Sequence, residues 1–349
     1  MNLSNLLLQC ITRGGSDLHL SSGMPSMLRI HGDLSVLHEA AWHANDLHAA
    51  LMTIMSSSQQ TRFANTHECD FSFELPEGAR FRVNVFIQAR GISAVFRVIP
   101  QHVPSLQELH APDVLSQLVQ SVRGLVLVTG PTGSGKSTTL AAMMDALNQT
   151  QDKHVLTIED PIEFVHTSSR CLIQQRELGA HTLSFASALR AALREDPDVI
   201  LVGELRDLDT IRLAITAAET GHLVLGTLHT SSAAKTMDRM VDVFPAEEKE
   251  MVRSMLSESL NAVVSQTLCK RKDGAGRVAA FEVMLGTPAV RHLIREGKVA
   301  QLYSAIQTGR HVGMQTLDQS LMSLLERGWI DAKEAQSRAK FPENCGVSR

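Results

Sequence analysis

One octapeptide constrains the fold of this chain more than any other feature. Residues 130–137 read G-P-T-G-S-G-K-S, which matches the phosphate-binding loop pattern G-x-x-x-x-G-K-[ST]. A short apolar run at 125–129 precedes the loop, and a helix-forming stretch at 139–144 follows it. This order of strand, loop and helix predicts an α/β domain in which buried strands alternate with helices in a mostly parallel sheet.

The chemistry of this loop requires its particular residue types. Glycines let the backbone turn tightly, so that several N–H groups point at one anion. Lys136 supplies a cation for the β- and γ-phosphates, and Ser137 supplies a hydroxyl for Mg²⁺. We therefore expect ATP and Mg²⁺ at this loop, against the alternative of a chance glycine-rich turn. The expected binding residues are Gly130, Pro131, Thr132, Gly133, Ser134, Gly135, Lys136 and Ser137.

Three further apolar runs, at 155–158, 199–202 and 223–228, predict strands that end in polar residues. Ligands bind beyond the carboxyl ends of parallel strands, so these residues are expected near the loop. Glu204 follows the second run and suits the Mg²⁺-side acid of a Walker B element, the alternative being a solvated strand-end acid. His229 follows the third run and is placed to contact the γ-phosphate. His222 precedes that run, where the residues alone favour a structural hydrogen bond.

Three acidic residues, Glu159, Asp160 and Glu163, follow the run at 155–158. ATP hydrolysis needs a group that orients and deprotonates the attacking water. Glu163 is the simplest assignment for this base. Glu159 and Asp160 remain alternatives, although either could instead cap a turn. A cation for the transition state could come from Arg80, Arg82, Arg90 or Arg97, although a solvated sheet face explains any one of them equally simply.

The rest of the chain predicts a second domain and a helical C-terminus. Residues 1–100 have alternating segments that predict an α+β domain with a meander of strands. Residues 101–123, which contain Pro104 and Pro112, are expected to form a linker, and 124–349 to form the ATPase domain. Apolar spacing from Met251 to Val264 predicts one long helix, and the last eighty residues are expected to be mostly helical.

Composition excludes several functional classes. Lys and Arg total 33 against 37 Asp and Glu, and aromatic residues are 4%, which argues against a nucleic-acid-binding protein. Five scattered cysteines without a C-x-x-C pair argue against a zinc site or a disulfide framework. No apolar run approaches the ~18 residues of a transmembrane helix, and no signal peptide is evident. We therefore expect a cytoplasmic protein with no transmembrane segment.

Several of these segments together resemble the secretion ATPases. The Walker A, Asp, Walker B and His boxes of that family are similar to residues 130–138, 157–164, 193–198, 202–207 and 216–229. A narrower resemblance is to the retraction ATPases of type IV pili. It rests on residues 16–20, 241–249 and 289–298. The last segment is similar to their C-terminal retraction motif, with Val290 and His292 where Ile and Asn are usual. Residues 345–349 look like an extension.

The resemblance implies a homohexameric ring whose subunits have a PAS-like α+β N-terminal domain and a RecA-like P-loop ATPase domain. It implies ATP between the two domains and adds Thr138 to the binding loop. It assigns Glu163 as the catalytic base and Glu204 as the Walker B acid. It also places both His222 and His229 in the functional His box, which differs from the structural role that the residues alone favour for His222. It further implies that Arg82 and Arg97 approach the γ-phosphate.

The function implied by the resemblance is ATP-driven pilus disassembly through an inner-membrane platform protein, at the cytoplasmic base of the pilus. An accessory retraction ATPase is a possible partner, and this chain could itself be that accessory paralogue. A nucleotide-gated scaffold with little turnover is a second alternative. An assembly or secretion ATPase would usually carry a longer N-terminal region and a four-cysteine zinc module, and a nucleic-acid motor is disfavoured by the net charge of -4.

Overall fold

The computed structural model describes residues 2–30, 32–100, 102–274 and 276–345. The chain divides into two compact units, one of Met1–His102 with Pro161–Phe164 and one of Val103–Asp160 with Val165–Arg349. Residue 101 of the expected linker and residues 346–349 of the expected extension lie outside the described residues. No helix in the described part of the chain is long and apolar enough to cross a membrane.

In its described residues the N-terminal unit is a six-stranded antiparallel sheet with three helices, in the strand order β3-β2-β1-β6-β5-β4. Alternation along the strands separates a core face from a polar face: Phe81 and Val83 are buried while Arg82 between them is exposed. The α+β class predicted for this part is confirmed. The strands are Asp17–Ser21, Pro25–Ile30, Asp33–Ala41, Glu68–Glu74, Arg80–Gln88 and Gly91–Ile99 (β1–β6), and the helices are Leu3–Thr12, Ala44–Ile54 and Ser57–Thr66 (α1–α3).

The C-terminal unit contains a seven-stranded sheet in the order β13-β12-β7-β11-β10-β8-β9. All neighbouring pairs are parallel except β12 and β13, so the predicted mostly parallel sheet is confirmed. The strands are Gly124–Thr129, His154–Glu159, Leu172–Glu177, Val199–Val202, Leu223–Leu228, Leu260–Lys270 and Arg277–Leu285 (β7–β13). The helices are Val114–Leu118, Lys136–Thr150, Phe185–Ala192, Leu208–Glu219, Ala233–Asp242, Lys249–Ser259, Pro288–Arg295, Leu302–Thr308, Leu317–Glu326 and Ala332–Arg338 (α4–α13).

Helices cover both faces of this sheet, which explains why its central strands are continuously apolar. On one face Leu127 of β7 shares a core cluster with Ile215 of α7. On the other face Val128 shares a cluster with Met143 of α5 and with Leu115 of α4. Part of the segment expected to be a linker therefore belongs to the core of the C-terminal unit.

One sequence prediction about the C-terminal part was wrong. The helix expected from Met251 to Val264 ends at Ser259, because β12 begins at Leu260 and pairs with β7 and β13. The last eighty residues contain β13, but their other described elements are helices, so the mostly helical C-terminus is confirmed. Strand pairing between distant segments outweighs the local helical spacing here.

Candidate nucleotide-binding site

The glycine-rich loop lies between β7, which ends at Thr129, and α5, which begins at Lys136. Gly130 has a φ of 147°, and a Cβ there would lie 2.3 Å from the carbonyl oxygen of Gln266. Gly135 has a φ of 88° and caps α5 in the left-handed conformation. These two positions therefore require glycine, which explains the motif by backbone geometry as well as by phosphate chemistry.

The Lys136 ammonium group is held at the loop itself. Lys136 is buried, and its Nζ donates to the carbonyl oxygens of Gly130 at 2.9 Å and Pro131 at 3.0 Å. The Nζ also lies 3.5 Å from Nδ1 of His229, which in turn lies 3.5 Å from the hydroxyl of Thr132. The cation expected to meet the phosphates is thus placed at the loop by contacts within one domain.

Glu204 continues this network from the end of β10. One carboxylate oxygen lies 3.3 Å from Nε2 of His229 and the other lies 2.7 Å from Nη2 of Arg206. Partial burial alone would raise the pKa of Glu204, but the hydrogen bond and charge of Arg206, together with His229, outweigh it and lower that pKa. The carboxylate is therefore ionised at neutral pH, as a metal ligand must be.

The acids after β8 differ in their surroundings. Glu159 accepts from the hydroxyl of Thr157 at 2.6 Å and from the side-chain amide of Gln175 at 3.1 Å. Glu163 is exposed and lies in the segment Pro161–Phe164 that groups with the N-terminal unit. Glu159 is thus engaged within the sheet edge, whereas the carboxylate of Glu163 is open to solvent.

The structure places the two histidines at opposite ends of β11. His222 precedes the strand, where its Nδ1 lies 3.0 Å from the carbonyl oxygen of Ala217 and its own carbonyl accepts from Gly124. The six residues of β11 separate it from His229 by about 20 Å. His222 therefore does not join the loop of its own subunit, and its expected role stays a prediction.

Arg82 and Arg97 are cross-strand partners in the N-terminal sheet. Like charges directly opposite each other destabilise a sheet unless an anion lies near them. Arg97 donates from Nε to Asp17 at 2.8 Å. Partial burial would raise the pKa of Asp17, but the hydrogen bonds from Arg97 and Ser16 and the charge of Arg97 prevail and lower it.

Two contacts at the site were not indicated by the sequence. The side chain of Gln266 on β12 donates to the carbonyl oxygen of Ser134 within the loop, and Arg206 pairs with Glu204. Gln266 gives no sequence signal, because it follows a predicted helix in a stretch without a catalytic motif. The only signal for Arg206 is its place in the segment that resembles the Walker B box, two residues after Glu204.

The residues present fit Mg²⁺ and a nucleotide. Magnesium usually keeps several waters and takes one or two protein ligands beside the phosphates, a number that Ser137 and Glu204 supply. Among the described residues no cluster of three or more His, Cys, Asp or Glu side chains forms a metal site of its own. The buried hydroxyl of Ser134 has no hydrogen-bond partner in the described structure, so one polar atom of the loop is unused by the protein.

Comparisons with known proteins agree with this geometry. Residues 2–336 match the family described as "Type II/IV secretion system protein". The chain is 61% identical over 344 residues to the "Type IV pilus retractation ATPase PilT" of Pseudomonas aeruginosa, covering 99% of this chain and all of the relative. It is 60% identical over 318 residues to a "Twitching motility protein" of Neisseria gonorrhoeae, covering 91% of this chain and 85% of the relative.

A solved structure agrees as well. The "Crystal Structure of the Pilus Retraction Motor PilT and Bound ADP" superposes with a TM-score of 0.91 at 43% sequence identity and covers 98% of each chain. The sheet order, the phosphate-binding loop and the polar strand ends are therefore those of a known nucleotide-binding fold. On the family match, the near full-length identities and this superposition, the chain belongs to the type II/IV secretion system ATPases.

Proposed function

We propose that this chain hydrolyses ATP and uses the energy to retract type IV pili, the activity named for its Pseudomonas aeruginosa relative. The observation that carries the proposal is 61% identity across 99% of the chain, which includes the loop, Glu204 and His229. The ADP bound to the superposed retraction motor supports a nucleotide at the same loop.

Each side chain at the loop has a distinct task in the proposed reaction. The backbone N–H groups of the loop bind the phosphates, and Lys136 exchanges its carbonyl partners for the β- and γ-phosphate oxygens. Ser137 and Glu204 would hold Mg²⁺, which would supply positive charge against the charge that develops on the phosphates. His229 connects Glu204 to Lys136 and is placed to respond to the presence of the γ-phosphate.

Glu163 orients the attacking water and accepts its proton in this proposal. Its exposure supports the assignment, because Glu159 is already engaged by Thr157 and Gln175. Arg82 and Arg97 supply the cationic charge that stabilises the transition state, as an arginine finger does in related phosphoryl-transfer enzymes. Loss of the γ-phosphate then releases these contacts, which couples hydrolysis to domain movement.

The assembly that does this work is proposed to be a homohexamer at the cytoplasmic base of the pilus. The platform protein of the inner membrane is the proposed partner that receives the motion. The family membership and the relatives named for pilus retraction and twitching motility support this arrangement.

A genetic experiment tests the proposal in the organism that encodes the chain. Deletion should abolish twitching while surface pili remain or accumulate, because assembly continues without retraction. The intact chain should restore movement, Glu163→Gln should not, and Glu77→Gln serves as an exposed, charge-matched control. Loss of surface pili on deletion would indicate an assembly ATPase, and full retraction by Glu163→Gln would contradict the assigned base.

A further inference from the structure

The strand β12 places a polar side chain, that of Gln266, in contact with the phosphate-binding loop. Ser265 of β12 is in register with Thr129, the last residue of β7, so Gln266 lies beside the point where the loop begins. Gln266 is 5% exposed, although a glutamine is usually found at the surface. Burial of its amide requires defined hydrogen-bond partners.

Both ends of the Gln266 amide are engaged by the loop and by the helix that follows it. Its Nε2 donates to the carbonyl oxygen of Ser134 at 2.7 Å, and its Oε1 accepts from the hydroxyl of Thr139 at 2.7 Å. The Ser134 carbonyl can only accept, which fixes the orientation of the amide. One side chain therefore ties the loop to the first turns of α5.

The backbone around these bonds is fitted closely to Gln266. A Cβ at Gly130 would lie 2.3 Å from the Gln266 carbonyl oxygen, and a Cβ at Gly135 would lie 2.8 Å from its Nε2. In a trans peptide the C=O and the following N–H point in opposite directions. Holding the Ser134 carbonyl towards β12 therefore turns the Gly135 N–H away from β12.

We propose that Gln266 is a positioning residue that sets the peptide between Ser134 and Gly135, so that the Gly135 N–H and Lys136 face the nucleotide phosphates. This inference rests on the proposed ATPase function, because it concerns the same loop. Gln266 touches no substrate itself and acts through the backbone of the loop. Thr139 supports the amide by donating to its oxygen.

Equilibrium binding of fluorescently labelled ADP to the purified full-length chain tests this role. Gln266→Met keeps the length of the side chain and removes both hydrogen bonds. Gln266→Glu, measured at pH 8, keeps an acceptor for Thr139 but places a carboxylate oxygen against the Ser134 carbonyl. Both variants should weaken ADP binding about tenfold, since a buried carbonyl loses its donor.

A matched control separates positioning from general stability. Gln315 also donates from Nε2 to a backbone carbonyl of the same domain, that of Phe281 at 3.0 Å, and none of its hydrogen bonds in the described part of the chain reaches the loop. Gln315→Met should bind ADP like the unmodified chain, whatever stability it loses. In steady-state assays Gln266→Met should raise the KM for ATP about tenfold and change kcat less than threefold.

The outcomes distinguish this inference from the proposed function. An unmodified chain that binds no ADP would contradict the proposed function. An unmodified chain that binds ADP, together with a folded Gln266→Met or Gln266→Glu that binds it equally well, would overturn only the role of Gln266. Equal losses in Gln266→Met and Gln315→Met would overturn it too, because the effect would then be one of stability.

Discussion

The charges of individual side chains determine the chemistry of the site at the phosphate-binding loop. Glu204 lies between Arg206 and His229, and its lowered pKa keeps it ionised at neutral pH. If Glu204 holds Mg²⁺ as proposed, Arg206 must share this carboxylate with the metal or move away, since both cations are attracted to the same group. The chemistry of the site thus depends on a small number of ionised groups with fixed neighbours.

Replacement of the proposed base is the sharpest test at the level of single residues. Glu163→Gln should lower the rate of ATP hydrolysis at least ~100-fold and leave ADP affinity within about twofold, because it removes proton transfer and no phosphate contact. Colorimetric phosphate release and ADP titration measure the two effects. Asp160→Asn and Glu159→Gln are the comparisons, and a larger loss of turnover in either of them would reassign the base.

The ion pair between Asp17 and Arg97 predicts a pH dependence of stability. The folded state lowers the pKa of Asp17, so the ionised carboxylate stabilises the fold above its unfolded pKa of ~3.9, and this stabilisation is lost as pH falls through the lower folded value. Asp17→Asn should therefore lower the free energy of unfolding by about 1 kcal/mol at pH 7, a figure that allows for the exposure of Arg97.

Tryptophan fluorescence can follow this effect in the N-terminal unit. Trp42 is buried in that unit, and a Trp329→Phe background removes the tryptophan of the other unit. Urea unfolding measures the free energy of unfolding of the background chain and of its Asp17→Asn variant. The difference between these two free energies should be constant near neutral pH and should become smaller as pH falls below about 4. A difference that stays constant down to about pH 3 would contradict the assigned ion pair.

At the level of helices and strands, the sequence was informative where the signal is local. The strands β7, β8, β10 and β11 are short apolar runs between turn residues, and their polar ends correctly pointed to one edge of the sheet. The convergence of Lys136, Glu204 and His229 followed from that topology.

The parts that could not be predicted depend on pairing between distant segments. The helix α9 passes into β12 at Leu260 without a glycine or proline, and Val252, Leu256, Leu260 and Val264 continue the helical spacing. Only the neighbouring strands β7 and β13 make residues 260–270 a strand. The contact of Gln266 with the loop depends on the same pairing, so no local pattern could indicate it.

The junction between α9 and α10 predicts a second stability effect. Arg291 of α10 donates to the carbonyl oxygens of Gly286 at 2.7 Å, Ser257 at 2.9 Å and Glu258, which closes the end of α9. Arg291→Met should lower the free energy of unfolding by about 2 kcal/mol, because these carbonyls lose a charged donor. Urea unfolding followed by Trp329 fluorescence, in a Trp42→Phe background, measures the loss.

Arg295 provides the control for this prediction on the same helix. It forms an ion pair with Glu258 in which both side chains are exposed, and its Nε donates to the hydroxyl of Ser257 at the longer distance of 3.3 Å. Exposed pairs of this kind contribute about 0–1 kcal/mol, so Arg295→Met should destabilise the domain much less than Arg291→Met. Equal effects of the two changes would show that Arg291 is not the group that holds this junction.

At the level of the whole molecule, each domain carries part of the proposed machinery. The phosphate-binding loop, Glu204 and His229 belong to the C-terminal unit, whereas Arg82 and Arg97 belong to the N-terminal sheet. The proposed base Glu163 lies in a short segment that groups with the N-terminal unit although it follows β8. In the proposed hexamer, loss of the γ-phosphate is the proposed trigger of movement.

The motor proposal depends most directly on Mg²⁺-dependent ATP hydrolysis by the purified chain, measured together with the mass of the same sample in solution. We predict turnover by a particle with the mass of a hexamer, and its loss in Lys136→Ala and Glu204→Ala, with Lys235→Ala as an unaffected control. A folded chain that binds ATP without hydrolysing it, or a Lys136→Ala variant that retains substantial turnover, would contradict the proposal.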